Sequence, residues 1–144
     1  MEKLCSYAEP SPGIIEEPKA YLWDWSCAVS AAARAENFIA SHLLKAVHFW
    51  TDRGLGEYEL YYLREKEKRE VDFLIAKNGK PWGLVEVKTS SNGSPSKSLF
   101  YYQEMLEVDF AVQVALDMEY VDCSCFESSR PLIVPAKTFL SQLV

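Results

Sequence analysis

The feature that most constrains the fold of this chain is a pair of strand-like segments joined by a tight turn. Residues 69–77 and 81–89 are rich in valine, isoleucine and leucine, and Asn78 and Gly79 between them are typical of a hairpin turn. Successive side chains of a strand point to opposite faces. The alternation therefore predicts one apolar face, formed by Val71, Phe73, Ile75, Val85 and Val87, and one ionisable face, formed by Asp72, Glu86 and Lys88.

The length of the turn decides whether the two carboxylates meet. A two-residue loop would pair Asp72 with Val85, whereas a three-residue loop ending at Lys80 would pair Asp72 with Glu86. Only the second arrangement places the apolar side chains of both strands on one surface. The hydrophobic pattern therefore predicts an odd-length turn or a β-bulge in this hairpin.

Two carboxylates that face each other across a strand pair repel unless a cation neutralises them. Oxygen ligands from Asp72 and Glu86 suit Mg²⁺ or Mn²⁺, with water and a substrate phosphate completing the coordination. Lys88 lies two residues further on the same face, where it could orient the attacking water and stabilise charge on the phosphate. The alternative is a solvent-exposed sheet face held by salt bridges.

A third carboxylate lies on the predicted first helix. With 100° per residue, Glu36 is at the centre of an apolar stripe whose members lie within about 60° of it, namely Val29, Ala32, Ala33, Ile39, Ala40, Leu43, Val47 and Trp50. An unpaired charge is costly to bury, so Glu36 needs a partner. A metal-bound water or Lys88 is the expected partner, and another basic side chain is the alternative.

The order of elements predicts an α/β fold with a mixed central sheet flanked by helices, in the order α-β-β-β-α-β. We expect residues 1–18, with three prolines, to form an arm or linker and residues 19–144 to form one domain. Ser26 is the expected cap of the first helix, and Ser94 with Pro95 the expected start of the second. The predicted helices cover 26–50, 95–108 and a terminal segment from about 135, and the predicted strands cover 57–64, 69–77, 81–89, 110–116 and 132–134.

The net charge of −6 argues against a broad nucleic-acid-binding surface, because phosphate contacts come mainly from Lys and Arg. Four basic residues before the candidate site are the exception: Arg64, Lys66, Lys68 and Arg69. They could hold a nucleic-acid backbone, and the alternative is that they form a solvated hairpin end. No long apolar run or secretory signal occurs, so we expect a cytoplasmic protein without membrane association. The cysteines at 5, 27, 123 and 125 are expected to be reduced thiols.

The ordered set of motifs resembles the PD-(D/E)XK nuclease-like superfamily. The helix carboxylate Glu36 is followed by the strand Glu70–Phe73 and by the strand Val85–Lys88, which carries the Glu-x-Lys motif. More narrowly, residues 18–100 resemble the C-terminal domain of unknown function that follows the motor domain in many prokaryotic AAA-type ATPases. In that group a Pro-Lys-x-Tyr-x-x-Asp start, here Pro18–Asp24, precedes a Glu-Asn helix, here Glu36-Asn37.

The resemblance implies a restriction-endonuclease-like core and Mg²⁺-dependent hydrolysis of DNA phosphodiesters. It implies metal-ligand roles for Asp72 and Glu86, a catalytic role for Lys88 and a water-mediated or supporting role for Glu36. Gln103 matches a polar position near the site in nucleases of this fold, although it could be a surface residue. The alternative function is a catalytically inactive module that binds or regulates a partner ATPase or nucleic acid, since a fold does not fix a function.

Overall fold

A computed structural model of the chain describes residues 2–4, 19–21, 24–65, 69–90 and 93–144. The helices are a 3-10 helix at Trp25–Cys27, α1 (Ala31–Asp52), α2 (Lys97–Leu106) and α3 (Ala136–Ser141). The strands are β1 (Glu2–Leu4), β2 (Lys19–Tyr21), β3 (Tyr58–Arg64), β4 (Glu70–Lys77), β5 (Lys80–Lys88), β6 (Phe110–Ala115) and β7 (Leu132–Pro135). From α1 to β6 the order is the predicted α-β-β-β-α-β.

Strands β3 to β7 form one five-stranded sheet in sequence order. The pairs β3–β4 and β4–β5 are antiparallel, whereas β5–β6 and β6–β7 are parallel, so the predicted mixed sheet is confirmed. The parallel pair β5–β6 is connected through α2, as a parallel crossover requires. The carboxyl ends of β5 and β6 therefore lie at the same edge of the sheet.

Two separate core clusters pack against the two faces of this sheet. Ile39, Leu43 and Val47 of α1 share one cluster with Phe73 and Ile75 of β4. Leu99, Tyr102 and Leu106 of α2 share the other with Leu74 and Ala76. Neighbouring residues of a strand face opposite sides, so α1 covers one face and α2 covers the other.

Both main helices begin later than predicted. The cap of α1 is Ser30, whose hydroxyl accepts a hydrogen bond from the Ala33 N–H at 3.1 Å, because the hydroxyl of Ser26 instead donates to Asp24 Oδ1. The cap of α2 is Ser96, which accepts from the Leu99 N–H at 3.3 Å. The cap expected at Ser26 is therefore wrong by four residues, and the cap expected at Ser94 is wrong by two.

The β4–β5 hairpin contains the predicted irregularity. The turn itself has two residues, because Lys77 pairs with Lys80, and a bulge follows, since Ala76 pairs with Pro81 but Ile75 pairs with Gly83. This bulge shifts the register by one residue, so Phe73 pairs with Val85. Both side chains then belong to the cluster under α1, as the hydrophobic pattern requires.

A second bulge, in β4, was not predicted. Leu74 pairs with Tyr61 and Val71 pairs with Leu63, which leaves two β4 residues, Asp72 and Phe73, opposite one β3 residue. Val71 therefore packs in the cluster under α2, and the expectation that it shares a face with Phe73 is wrong. A bulge of this kind re-aims side chains locally, and here it lies at Asp72.

At the start of the chain, β1 and β2 form a two-stranded antiparallel sheet in which Glu2 pairs with Tyr21. Most of the predicted arm, residues 5–18, lies outside the described residues, so the domain boundary at residue 18 stays a prediction. No helix in the described ranges is long and apolar enough to cross a bilayer.

Candidate functional site

Glu86 and Lys88 lie at the carboxyl end of β5, on the side covered by α2. Glu86 is buried, with 7% of its surface exposed, and its Oε1 is 3.1 Å from Nζ of Lys88. The second carboxylate oxygen accepts a hydrogen bond from the hydroxyl of Ser96, the cap of α2. Lys88 is half exposed. The pair therefore joins a sequestered carboxylate to an amine that solvent can reach.

Asp72 reaches the same segment of β5 from the neighbouring strand. The regular β4–β5 pairing ends at Phe73 and Val85. Beyond that point the carboxylate of Asp72 takes the place of a strand carbonyl, and its Oδ2 accepts a hydrogen bond from the Val87 N–H at 2.8 Å. Val87 is the residue between Glu86 and Lys88, so three motif residues converge on one stretch of backbone.

Glu36 accepts a hydrogen bond from Tyr21, a residue that sequence reasoning did not select. The Tyr21 hydroxyl donates to Glu36 Oε1 at 2.8 Å, and the Tyr21 ring packs on Phe73 at 5.5 Å between centroids. Burial raises the pKa of Tyr21, and the negative charges of Glu36, Asp72 and Glu70 raise it further. Tyr21 therefore binds the helix carboxylate directly and is close enough to the carboxylates of β4 for their charge to raise its pKa. The tyrosine of the Pro-Lys-x-Tyr start was the signal that could have identified it.

The carboxylates approach from different sides of the sheet. Glu36 approaches from the α1 side through Tyr21, Glu86 from the α2 side, and Asp72 lies where β4 and β5 separate. In the described part of the chain, no three or more His, Cys, Asp or Glu side chains are grouped so that they could hold a metal ion together. This donor set does not resemble an all-protein cage. It fits the way Mg²⁺ is commonly held, by one or two carboxylates with waters and a substrate phosphate.

Gln113 of β6 is a second residue that the sequence did not point out. It pairs in register with Glu86, is only 3% exposed, and its Oε1 accepts a hydrogen bond from the Ser96 N–H at 3.0 Å. A cavity of about 310 Å³ at this edge of the sheet is lined by Gln113 and Lys88 among others. The signal was available, because Gln113 interrupts an otherwise apolar run.

Gln103, expected near the site, lies on α2 and is buried. Its Nε2 donates to the Ser128 carbonyl at 3.2 Å, and it lines a different cavity, together with Glu104 and Arg130. The lining of that cavity shares no residue with the cavity at Lys88. A catalytic role for Gln103 therefore stays a prediction, with no contact to Glu86 or Lys88 among the described contacts to support it.

The expected nucleic-acid-binding residues precede β4. Arg64 is exposed at the end of β3, and Arg69 forms an ion pair with Glu65 at 3.1 Å. The Arg69 guanidinium also lies 4.1 Å from the ring centroid of Tyr101 on α2. Residues 66–68, which include Lys66 and Lys68, lie outside the described residues. Binding of nucleic acid by this group stays a prediction.

Comparison with protein families adds one finding. The pattern of a domain of unknown function, DUF4143, matches residues 32–120, which is more than half of the chain. The chain belongs to the DUF4143 family. Comparison with curated proteins and with solved structures gave no match.

The DUF4143 region contains most of the candidate site. Glu36, Asp72, Glu86, Lys88 and Gln113 all lie within the matched residues, whereas Tyr21 precedes them. The family match carries no activity with it. Any function must therefore be argued from the chemistry of these side chains.

Proposed function

We propose that this DUF4143 chain is a Mg²⁺- or Mn²⁺-dependent nuclease-like domain with a restriction-endonuclease-like core, which hydrolyses phosphodiester bonds of DNA. The observation that carries the proposal is the hydrogen bond from the Val87 N–H to Asp72. It brings Asp72 beside the Glu86-x-Lys88 segment, although the two strands no longer pair regularly there. Convergence of these groups is what the resemblance to PD-(D/E)XK nucleases requires.

Asp72 and Glu86 are the groups that would hold the metal ion. Both present carboxylate oxygens, the ligands that Mg²⁺ and Mn²⁺ prefer. When bound, the ion would supply a Lewis acid and a water of lowered pKa next to the phosphate. Glu86 would exchange part of its contact with Lys88 and Ser96 for this role.

Lys88 is suited to act on the reacting phosphate. Its side chain is half exposed and lines the cavity at the sheet edge. There it can donate to a phosphate oxygen and offset the charge that develops during hydrolysis. Glu36 would act as a supporting residue, because its contact with Tyr21 connects it to the surroundings of Asp72.

A cleavage assay with a matched control tests this assignment. We expect purified wild-type protein to cleave single- or double-stranded DNA with Mn²⁺ or Mg²⁺, and Lys88→Met to lose about 100-fold or more of the rate, as for a removed charge-stabilising group. Lys137→Met is the control, because the ion pair that Lys137 forms within the described ranges, with Glu119, is exposed. Equal rates for wild type and Lys88→Met would contradict the proposal.

A second candidate is a catalytically inactive module that docks on an AAA-type ATPase. The supporting observation is the outer surface of α2, where Phe100, Tyr101 and Met105 are 45%, 38% and 38% exposed. Exposed apolar groups that lie together are typical of protein contacts. Binding of metal and DNA without cleavage by the wild type would favour this candidate over the nuclease.

A further inference from the structure

Two cavities lie at the carboxyl end of β5. Each has a volume of about 310 Å³, and Thr89, the residue after β5, lines both. One opens on the α2 side of the sheet edge, beside Lys88 and Gln113, and the other on the α1 side, beside Arg34 and Phe38. Ligands of open α/β sheets commonly bind outside the carboxyl ends of parallel strands, which is where these cavities lie.

The cavity beside Lys88 is lined by residues with polar side chains and offers hydrogen-bond donors. Its lining consists of Lys88, Thr89, Ser90, Ser94, Ser96 and Gln113. The Oε1 of the buried Gln113 is occupied by the Ser96 N–H, while its Nε2 donates to no group within the described ranges. An amine, several hydroxyls and an available amide N–H together match the oxygen atoms of a phosphate group.

The cavity on the other side is apolar and is lined by two groups with flat faces. Phe38 and Arg34 are one helical turn apart on α1, and small residues, Ala31 and Ala35, leave space beside them. Aromatic rings and guanidinium planes are the groups on which unpaired nucleobases stack. A base within a duplex is already paired and stacked, so it could enter only after extrusion.

We propose that this edge binds a single-stranded nucleic acid, with a backbone phosphate in the cavity of Lys88 and Gln113 and an unpaired base against Phe38 and Arg34. The proposal rests on the proposed function, because it assigns the substrate class of the same site. The strand would cross the sheet edge at Thr89, which separates the two cavities. The path passes the Glu86–Lys88 pair, so the phosphate in the cavity beside Lys88 is the one presented for hydrolysis.

The test measures binding in a metal chelator, so that it does not depend on cleavage. Fluorescence anisotropy would compare a labelled single-stranded oligodeoxythymidylate, an oligouridylate, a blunt-ended duplex and an abasic phosphodiester of equal length. We expect the single strands to bind more tightly than the duplex, and Phe38→Leu to weaken their binding by roughly fivefold or more, the loss of one stacked base. The affinity for the abasic probe should be the same in Phe38→Leu as in the wild type.

Phe49→Leu is the matched control, because Phe49 is 44% exposed on the same helix and lines neither cavity. Gln113→Met should weaken every probe, including the abasic one, through the lost amide donor; if it fails to fold, Phe38→Leu carries the test. Weaker binding of the oligodeoxythymidylate or of the oligouridylate by Phe38→Leu supports the proposal. The probe that is affected identifies DNA or RNA as the ligand. The proposal would be overturned if duplex and single strand bind with equal affinity, if Phe38→Leu binds the single strands as tightly as the wild type, or if no probe binds.

The outcomes separate this proposal from the nuclease assignment. If single strands bind tightly in chelator but are not cleaved in Mn²⁺, the single-strand proposal stands and the nuclease proposal is wrong. If duplex DNA is cleaved and Phe38→Leu does not change the rate, the nuclease proposal stands and the single-strand proposal is wrong.

Discussion

The Asp72–Val87 hydrogen bond allows the structural and the metal-binding roles of Asp72 to be separated by two substitutions. Asp72→Ala removes the acceptor and leaves a partly buried Val87 N–H without this partner. Asp72→Asn retains a side-chain carbonyl oxygen at the same position but removes the charge. Both variants should lose affinity for a divalent cation, whereas only the alanine should lose most of the hydrogen bond.

The magnitudes follow from the type of hydrogen bond. A hydrogen bond to a charged group contributes about 1.5–3 kcal/mol, and a neutral one contributes about 1 kcal/mol. The bond at 2.8 Å is partly buried, so we expect Asp72→Ala to lower the free energy of unfolding by about 2 kcal/mol. Asp72→Asn should lower it by about 1 kcal/mol or less, since the amide carbonyl still accepts a neutral hydrogen bond from the Val87 N–H.

Urea denaturation in a metal chelator would measure both values without interference from bound ions. In a chain of this size each kcal/mol corresponds to about 4 °C in the melting temperature, which gives a second measurement. The reasoning is refuted if Asp72→Asn destabilises the fold as much as Asp72→Ala, or if neither variant changes the free energy of unfolding.

Three further predictions concern the surroundings of the site. Gly83→Ala should lower the free energy of unfolding by about 3 kcal/mol, because a Cβ there would lie 2.0 Å from the buried ring of Phe110. Urea denaturation measures this change, and an unchanged free energy of unfolding would contradict the packing of that ring. Ser96→Ala should lower it by roughly 1–2 kcal/mol, because the α2 cap and a hydrogen bond to Glu86 are both lost, and a neutral result in the same assay would reject this capping role. Because the folded-state pKa of Tyr21 is raised, its contribution to stability is complete below the ordinary value of 10.0 and is lost as pH rises further. The stability of the wild type, followed by denaturation at increasing pH, should therefore fall more steeply above that value than the stability of Tyr21→Phe; parallel curves would contradict the burial of this hydroxyl.

The sequence predicted the register of the central hairpin but not the structural feature that produces it. Hydrophobic alternation required one extra residue between Asp72 and Glu86, and either a three-residue turn or a bulge provides it. The structure has the two-residue turn and a bulge next to Gly83. The alternatives give the same pairing beyond the turn, so alternation alone could not choose between them.

The bulge at Asp72 was beyond sequence reasoning for a different reason. Period-two alternation assumes a regular strand, and Val71 is apolar on either face, so its transfer to the α2 side leaves no trace in the pattern. The partner of Glu36 was missed because Tyr21 lies 15 residues away in a separate short strand. Helix periodicity predicts that a carboxylate on an apolar stripe needs a partner, but it cannot say which distant element provides one.

Calorimetric titration with Mn²⁺ tests the central claim most directly, because the proposed chemistry requires a divalent cation at Asp72 and Glu86. The account predicts a saturable binding heat for the wild type that disappears in Asp72→Asn. The heat should be retained in Glu119→Gln, which removes an exposed carboxylate elsewhere on the surface. Absence of heat in the wild type, or the same heat in Asp72→Asn, would contradict the account.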